Sequence, residues 1–267
     1  MIKISAFIAI FGGIYLFTIL IVFVFQRSLI YFPTKKEIEN IYFVGTGLNE
    51  VKVITTDNLE LRAWFKKPNK TQKRLILIFH GNAGHVGHRI EKFKSFINSG
   101  YGLFFLEYRG YGGNPGNPSE LGLYNDANSA LAFLSSQDIF PENIILYGES
   151  LGCALAIELA TKSNYFATVL EAPFTTTGDV AQAHYWFFPS KWLVLDRYDN
   201  LSKIRKINSH LLVVHGEKDA VVDIALGKTI FNNAPEPKQA SFFSEAGHNN
   251  LFNYGADEQV LSFLEQL

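Results

Sequence analysis

Cysteine and charged side chains are scarce in this sequence of 267 residues. Cys153 is the one cysteine, so no intramolecular disulfide can form, and the cysteine content leaves the redox compartment open. We expect it to fill a small buried position rather than to react. Charged residues make up 18% of the chain, less than the roughly one quarter that is typical of globular domains. The formal net charge of −1 argues against a nucleic-acid partner, because binding to a duplex depends on many cationic contacts to phosphates.

Charge is missing altogether from one long N-terminal segment. Residues 4–25 contain no charged residue and no proline. As a helix they would span about 33 Å, which is enough to cross the hydrocarbon core of a bilayer. No small-residue cleavage site follows the segment and none of its faces is polar, which favours an uncleaved anchor over a signal peptide or a buried helix. We therefore predict a single-pass membrane anchor over residues 1–26.

Basic residues flank the predicted anchor on both sides. Lys3 precedes it, and Arg27, Lys35 and Lys36 follow it. The slight excess of positive charge after the anchor favours a cytoplasmic catalytic domain only weakly, so the membrane face stays open. We assign residues 27–50 to a membrane-proximal linker.

From residue 51 to residue 267, short apolar runs alternate with segments of helical periodicity, as in one α/β domain. The runs that predict strands are 51–55, 59–65, 74–79, 103–106, 144–146, 167–170, 211–214 and 240–243. The segments that predict helices are 86–98, 119–134, 154–160, 224–231 and 256–264. Strands that alternate with helices predict a mostly parallel sheet with helices on both faces. Residues 173–208 interrupt the alternation and are too many for an ordinary connection, so we predict that they form a small lid over the carboxyl edge of the sheet.

The candidate nucleophile is Ser150, in the pentapeptide Gly148-Glu149-Ser150-Leu151-Gly152. An apolar strand precedes the pentapeptide and a helix follows it, which is the context of a nucleophile elbow. The sharp turn has no room for Cβ atoms two residues either side of the serine, and glycine has none. The amino end of the helix directs free N–H groups towards the turn, where an oxyanion could form.

A serine nucleophile needs a histidine base and a carboxylate that orients the base. After an elbow of this kind the acid comes next along the chain and the histidine last. Asp219 lies in the loop after a predicted strand, and His248 lies between the last strand and the last helix. Glu171, which also ends a strand, is the strongest competitor for the acid; the others are Glu217, Asp223 and Asp196. His85 and His88 are three residues apart but lack cysteine or carboxylate ligands at a matching spacing, so we predict no metal site.

Two further sets of residues complete the predicted site. An oxyanion hole needs two convergent backbone N–H groups, and Leu151 and Asn82 are placed to supply them. Within the lid, Trp186, Phe187 and Trp192 are candidates for substrate binding; packing of these aromatic side chains onto the core is the alternative.

Five motifs together resemble the α/β-hydrolase superfamily, and more narrowly its membrane-anchored serine hydrolases. They are His80-Gly81-Asn82-Ala83-Gly84, Tyr108-Arg109-Gly110-Tyr111-Gly112, Gly148-Glu149-Ser150-Leu151-Gly152, His215-Gly216-Glu217-Lys218-Asp219 and Gly247-His248-Asn249. The resemblance implies an α/β-hydrolase fold, a triad of Ser150, Asp219 and His248, and no cofactor. Relatives of this kind include depalmitoylating thioesterases, lysophospholipases and serine aminopeptidases, so the resemblance bears on the chemistry more than on the substrate.

The sequence supports one leading function and leaves two others open. The leading hypothesis is a membrane-anchored serine hydrolase that cleaves an ester or thioester of a small-molecule or lipid acyl substrate. The first alternative is a serine aminopeptidase, which would need an anion such as Glu149 or Glu171 to hold the substrate amine. The second is a non-catalytic, membrane-tethered interaction module with a hydrolase fold.

Overall fold

An eight-stranded sheet forms the centre of the computed structural model, which describes residues 2–69 and 71–267. Met1 of the predicted anchor, the flanking side chain of Lys3, and Lys70 of the predicted domain lie outside the described residues. The described residues contain ten strands: β1 (Phe32–Pro33), β2 (Asn49–Ile54), β3 (Glu60–Lys66), β4 (Leu75–Phe79), β5 (Ala83–Gly84), β6 (Gly102–Leu106), β7 (Ile144–Glu149), β8 (Ala167–Glu171), β9 (His210–Gly216) and β10 (Lys238–Phe243). Strands β1 and β5 form a separate pair, and the other eight form the sheet. The helices are α1 (Ile2–Ile30), α2 (Lys94–Asn98), α3 (Glu120–Ser136), α4 (Gly152–Ala160), α5 (Thr177–His184), α6 (Ser190–Leu193), α7 (Asn200–Ile204), α8 (Ile224–Asn233) and α9 (Ala256–Glu265).

The sheet is parallel over most of its width. Its strand order is β10-β9-β8-β7-β4-β6-β3-β2, and all neighbours from β10 to β6 run parallel, whereas β3 is antiparallel to both β6 and β2. Every apolar run that predicts a strand forms one of these eight strands. The predicted α/β-hydrolase fold class is therefore confirmed.

Helices cover both faces of the sheet, and each face has its own apolar core. Leu123 of α3, Leu155 of α4 and Ile230 of α8 belong to the core on one face. Phe96 of α2 and Phe263 of α9 belong to the core on the other. Because the central strands are buried on both sides, they need continuous apolar runs rather than an alternating pattern.

The predicted helix over residues 86–98 is wrong in its first two turns. That stretch forms two short 3₁₀ turns, Val86–Arg89 and Glu91–Phe93, and only α2 is α-helical. The carboxylate of Glu107 accepts a hydrogen bond from the amide of Val86, and the side chain of Arg89 reaches back to the carbonyl of Ala83. Both contacts fix the start of this stretch, and the apolar spacing encodes neither of them.

The segment assigned to a linker packs against the catalytic domain in the structure. Helix α1 continues to Ile30, and β1 pairs with β5 of the domain. Tyr31, Ile38, Phe43 and Leu48 are all buried. Apolar side chains spaced irregularly give no periodic signal, so their burial was not predictable from the pattern.

The N-terminal helix is long and apolar enough, by length and composition, to cross a membrane. Within Ala6–Ile30, an 18-residue stretch has a mean hydropathy of 2.7, and none of that stretch is buried against the rest of the described chain. The lid, residues 173–208, lies between β8 and β9 and contains α5, α6 and α7. Side chains of Thr176 and Asp199 cap the amino ends of α5 and α7, as short polar residues at these positions commonly do.

Candidate active site

Ser150 occupies a strained turn between β7 and α4. Its φ of 51° lies in the left-handed region, which is uncommon for residues other than glycine. A Cβ atom on Gly148 would lie 2.5 Å from Cα of Cys153, and one on Gly152 would lie 2.0 Å from the carbonyl oxygen of Phe79. Only glycine fits at both positions, so the two glycines of the pentapeptide allow the turn to pack against the sheet.

The structure brings the three predicted triad residues together. Nε2 of His248 lies 3.1 Å from Oγ of Ser150, and Nδ1 of the same ring lies 2.7 Å from Oδ2 of Asp219. Each of the three follows the carboxyl end of a parallel strand, β7, β9 or β10. A serine, a base and an orienting anion in this arrangement can carry out nucleophilic catalysis.

The carboxylate of Asp219 is held in place by four donors. Oδ1 accepts hydrogen bonds of 2.8 Å from the amides of Val221 and Val222, while Oδ2 lies near His248 and also 3.2 Å from Nε2 of His215. Burial works to raise the pKa of this carboxyl, but the hydrogen bonds from His215, His248 and the Val222 backbone outweigh it and hold the pKa below its usual value. Asp219 is therefore an anion at neutral pH, as an orienting residue must be.

Glu171, the strongest competitor, belongs to a separate buried network. Lys92 donates hydrogen bonds to both Glu171 and Glu149, Arg89 donates to Glu149 at 3.0 Å, and Tyr147 donates to Glu171. Burial works to raise the pKa of Glu149, yet Lys92 and Arg89 hold it below its usual value. Both glutamates are thus fully occupied with cations of the protein itself.

The remaining candidate acids lie elsewhere. Asp196 pairs with Arg27 at the end of α1, Glu217 lies 3.7 Å from Lys228, and the side chain of Asp223 caps α8. Within residues 2–69 and 71–267, no hydrogen bond or ion pair joins any of these three carboxylates to His248.

Asn82 and Leu151 both lie beside the serine, in the wall of the same pocket. The side-chain amide of Asn82 donates to the carbonyl of Ile30 at 2.9 Å, so it is not free to face a substrate. In the described part of the chain neither backbone amide, that of Asn82 or that of Leu151, donates to a protein acceptor. Two unengaged N–H groups next to a nucleophile can bind a developing oxyanion.

A mostly apolar pocket of about 380 Å³ opens beside Ser150. Its wall combines the end of α1, the helix α5 and the loop after Asp219. The lining residues are Leu29, Ile30, Phe32, Asn82, Ser150, Leu151, Phe174, Thr177, Val180, Ala181, His184, Tyr185, Ala220, Val221 and Val222. Val221 and Val222 follow Asp219 closely in the sequence, which was the signal for them. The contribution of Leu29, Ile30 and Phe32 comes from a contact across the fold that no local pattern encodes.

The predicted substrate-binding aromatics do not line this pocket, so that prediction needs correction. Trp186 is 81% exposed, Phe187 58% and Trp192 82%, and Tyr185 lines the pocket instead. Helix α5 ends at His184, and the chain turns outward after it. The alternative, packing of these aromatic side chains onto the core, is not observed either, because none of the three belongs to a core cluster.

Cys153 lies behind the elbow and is fully buried. Its Sγ is within 3.2 Å of the carbonyl oxygens of Gly148 and Glu171, and burial raises the pKa of the thiol well above its usual value. The side chain therefore stays a neutral thiol and fills space, as expected from the sequence.

Comparisons with known proteins agree with the fold. The family described as "Serine aminopeptidase, S33" matches residues 70–202. An uncharacterized protein of Mycobacterium tuberculosis is 37% identical over 227 residues, covering 84% of this chain and 81% of that protein. Human alpha/beta hydrolase domain-containing protein 17B is 33% identical over 217 residues, with coverages of 79% and 72%.

Solved structures extend the likeness at the level of the fold. An esterase of Pyrococcus furiosus superposes with a TM-score of 0.68 at 16% identity, covering 88% of this chain and 97% of that one. An α/β-hydrolase of Penicillium superposes with a TM-score of 0.67 at 17% identity, with coverages of 82% and 98%. The chain belongs to the α/β-hydrolase superfamily and is an enzyme of the serine-hydrolase type.

Proposed function

We propose that this protein is a membrane-anchored serine hydrolase that cleaves carboxylic ester or thioester bonds through an acyl-enzyme intermediate. The observation that carries the proposal is the pair of distances at His248, 3.1 Å to Oγ of Ser150 and 2.7 Å to Oδ2 of Asp219. These distances match the hydrogen-bond reach that a nucleophile, a general base and its orienting anion require.

In the acylation step, Oγ of Ser150 attacks the carbonyl carbon of the substrate while Nε2 of His248 takes the hydroxyl proton. Asp219 stabilises the imidazolium that forms. The carbonyl oxygen becomes an oxyanion, which the backbone amides of Asn82 and Leu151 bind; one such donor contributes about 3–4 kcal/mol. His248 then gives its proton to the departing alcohol or thiol, which leaves the acyl group on Ser150.

In the deacylation step, water takes the place of the leaving group. Nε2 of His248 removes a proton from the water as it attacks the acyl carbon, and the same proton returns to Oγ of Ser150 as the acid is released. The apolar wall beside Ser150 suits an acyl chain, since burial of apolar surface contributes about 25 cal/mol per Å².

The alternative hypothesis, a serine aminopeptidase, has less support. Capture of a substrate amine needs a carboxylate that is free to pair with it, and the two candidates, Glu149 and Glu171, are already paired with Lys92 and Arg89. Replacing these partners with a substrate would leave buried charges unpaired, which is costly. Ester and thioester substrates have no amine that needs a free carboxylate.

The test compares Ser150→Ala with Ser244→Ala, an exposed serine outside the pocket. We expect Ser150→Ala to lower turnover of p-nitrophenyl butyrate at least about a thousandfold and to abolish labelling by a fluorophosphonate probe, with Tm unchanged. Ser244→Ala should behave as the wild type. Full turnover by Ser150→Ala would refute the assignment.

A second comparison separates the bond types. Matched acyl esters, acyl thioesters and aminoacyl amides are offered to the wild-type protein, and kcat/KM is measured for each. Preference for the aminoacyl amides would favour a peptidase over the ester or thioester hydrolase that we propose.

A further inference from the structure

The outer part of the lid is attached to the side of the N-terminal helix. We call residues 185–195 the lid tip. The hydroxyl of Tyr15 donates a hydrogen bond of 2.8 Å to the carbonyl of Phe187. Three turns further along α1, the side chain of Gln26 accepts a 2.7 Å hydrogen bond from the amide of Leu195 and donates to the carbonyl of Leu193 at 3.4 Å. The lid tip thus runs along α1 for about 16 Å, the rise between residues 15 and 26 of a helix.

The lid tip also exposes a concentrated set of large apolar side chains. Trp186, Phe187, Trp192 and Leu195 are 81%, 58%, 82% and 61% exposed. These side chains do not line the pocket beside Ser150, and they join neither core. Contiguous exposed apolar surface of this kind marks a site of interaction.

The depth at which α1 crosses a bilayer sets the depth of the lid tip. Tyr15 precedes Phe25, the end of the uncharged segment, by ten residues, or about 15 Å of helix. That is half of the roughly 30 Å thickness of a hydrocarbon core. A membrane that contains the apolar length of α1 therefore contains the lid tip bonded to Tyr15 as well.

The hydrogen bonds at this contact are those that a hydrocarbon environment requires. Backbone polar groups exposed to lipid must find partners within the protein. Tyr15 and Gln26 are polar residues of α1, and both satisfy backbone groups of the lid tip. Gln182 similarly donates to the carbonyl of Trp186 at 2.9 Å. In water these carbonyls and amides would have solvent as a partner.

We propose that the lid tip inserts into the hydrocarbon of the leaflet beside α1, so that an acyl chain enters the pocket laterally from the membrane. The inference rests on the membrane anchor of the proposed function. The pocket supports this route, because its wall includes Leu29 and Ile30 at the end of α1 and Tyr185 at the start of the lid tip. The pocket is therefore lined by residues from both of the elements that we place in the leaflet.

The test uses the tryptophans of the full chain as depth probes. The sequence has three: Trp186 and Trp192 in the lid tip, and Trp64, which is 1% exposed and stacked on Phe43 in the core. The protein is reconstituted into phosphatidylcholine vesicles with either ordinary or brominated acyl chains. We expect brominated lipid to quench the wild-type fluorescence, and we expect the W186F/W192F variant, which keeps only Trp64, to lose that quenching.

Flotation of the vesicles separates the two possible failures. Protein that floats with vesicles but fluoresces equally in ordinary and brominated lipid would overturn insertion of the lid tip and leave the anchor standing. Protein that does not float would refute the anchor of the proposed function and the insertion with it.

A second variant links insertion to turnover. W186Q/W192Q should hydrolyse a long-chain ester embedded in vesicles about tenfold more slowly than the wild type, because polar residues oppose insertion. Its turnover of p-nitrophenyl acetate in solution should be unchanged, since neither residue lines the pocket. An equal loss on both substrates, or no loss on the embedded ester, would contradict the proposal.

Discussion

Nε2 of His215 lies 3.2 Å from Oδ2 of Asp219, the same carboxylate oxygen that contacts His248. The ring of His215 is fully buried and also contacts the carbonyl of Val222 at 3.0 Å. A donor at this position holds the carboxylate towards His248. His215 is thus a positioning residue for the proposed triad, although it touches neither the serine nor the pocket.

Replacing His215 with phenylalanine should slow the chemical step. The His215→Phe variant keeps the ring volume but removes one donor to Asp219, so we expect kcat to fall about tenfold, the effect of losing roughly 1.4 kcal/mol, with KM unchanged. Steady-state kinetics on p-nitrophenyl butyrate measure this. His210→Phe, at an exposed position on the same strand, is the control, and an unchanged kcat in His215→Phe would show that the residue only packs.

Replacing Asn82 with alanine should have little effect on turnover. The side-chain amide of Asn82 is committed to the carbonyl of Ile30, and the backbone amide that we assign to the oxyanion hole remains in the Asn82→Ala variant. We expect kcat/KM to stay within a few-fold of the wild type. A loss of hundreds-fold, the size expected when an oxyanion donor is removed, would instead assign the role to the side chain.

Replacing Ala181 with phenylalanine should shorten the acyl chain that the enzyme accepts. Ala181 lines the pocket on α5, and a larger side chain there fills part of the 380 Å³. We expect Ala181→Phe to lower kcat/KM for p-nitrophenyl octanoate far more than for p-nitrophenyl acetate. Ala183→Phe, at an exposed position of the same helix, should leave the ratio of the two rates unchanged; a shifted ratio there too would rule out the pocket as the cause.

Removing Lys92 should destabilise the protein. The ammonium of Lys92 lies between Glu149 and Glu171, and the two carboxylates raise its pKa despite burial, which works in the opposite direction. Lys92→Met leaves both carboxylates short of a partner, at a cost of about 3–5 kcal/mol, measured as a fall in Tm. Lys94→Met removes an exposed ion pair with Glu91 and should cost less than about 1 kcal/mol; equal shifts for the two variants would contradict the prediction.

The stabilising effect of Glu149 should disappear in acid. Its pKa in the folded protein is below the usual value, whereas in the unfolded chain it is about 4.3. The stabilisation is therefore complete above that value and is lost as the pH falls through the folded pKa. We expect the Tm difference between wild type and Glu149→Gln to be constant from pH 6 to pH 8 and to shrink below about pH 4. A difference that stays constant down to pH 3 would show that the carboxylate charge is not the cause.

Much of the fold and of the candidate site followed from local patterns. Continuous apolar runs marked the strands, and Gly148 and Gly152 marked the turn around Ser150. Asp219 and His248 each follow a strand, and the carboxyl ends of parallel strands meet at one edge of a sheet. Residues far apart in the sequence could therefore be grouped from their positions relative to strand ends alone.

Other features depended on contacts that no local pattern encodes. An aromatic side chain is expected to be buried, but its residue type does not tell which part of the protein will cover it. Trp186 and Trp192 are exposed and line neither the core nor the pocket. The spacing of residues 86–98 is helical, but the chain forms two 3₁₀ turns before α2, and its first amide bonds to Glu107 from a distant strand end.

The sequence by itself determined the α/β fold, the nucleophile turn and the apolar N-terminal helix, because strand periodicity, glycine sterics and uncharged length are properties of short stretches of chain. Only the tertiary structure decided that the end of α1 forms part of the pocket, that His215 supports Asp219, and that the lid tip lies along α1. Each of these depends on two segments distant in sequence meeting in space, and the pairing of such segments is set by the packing of the whole chain.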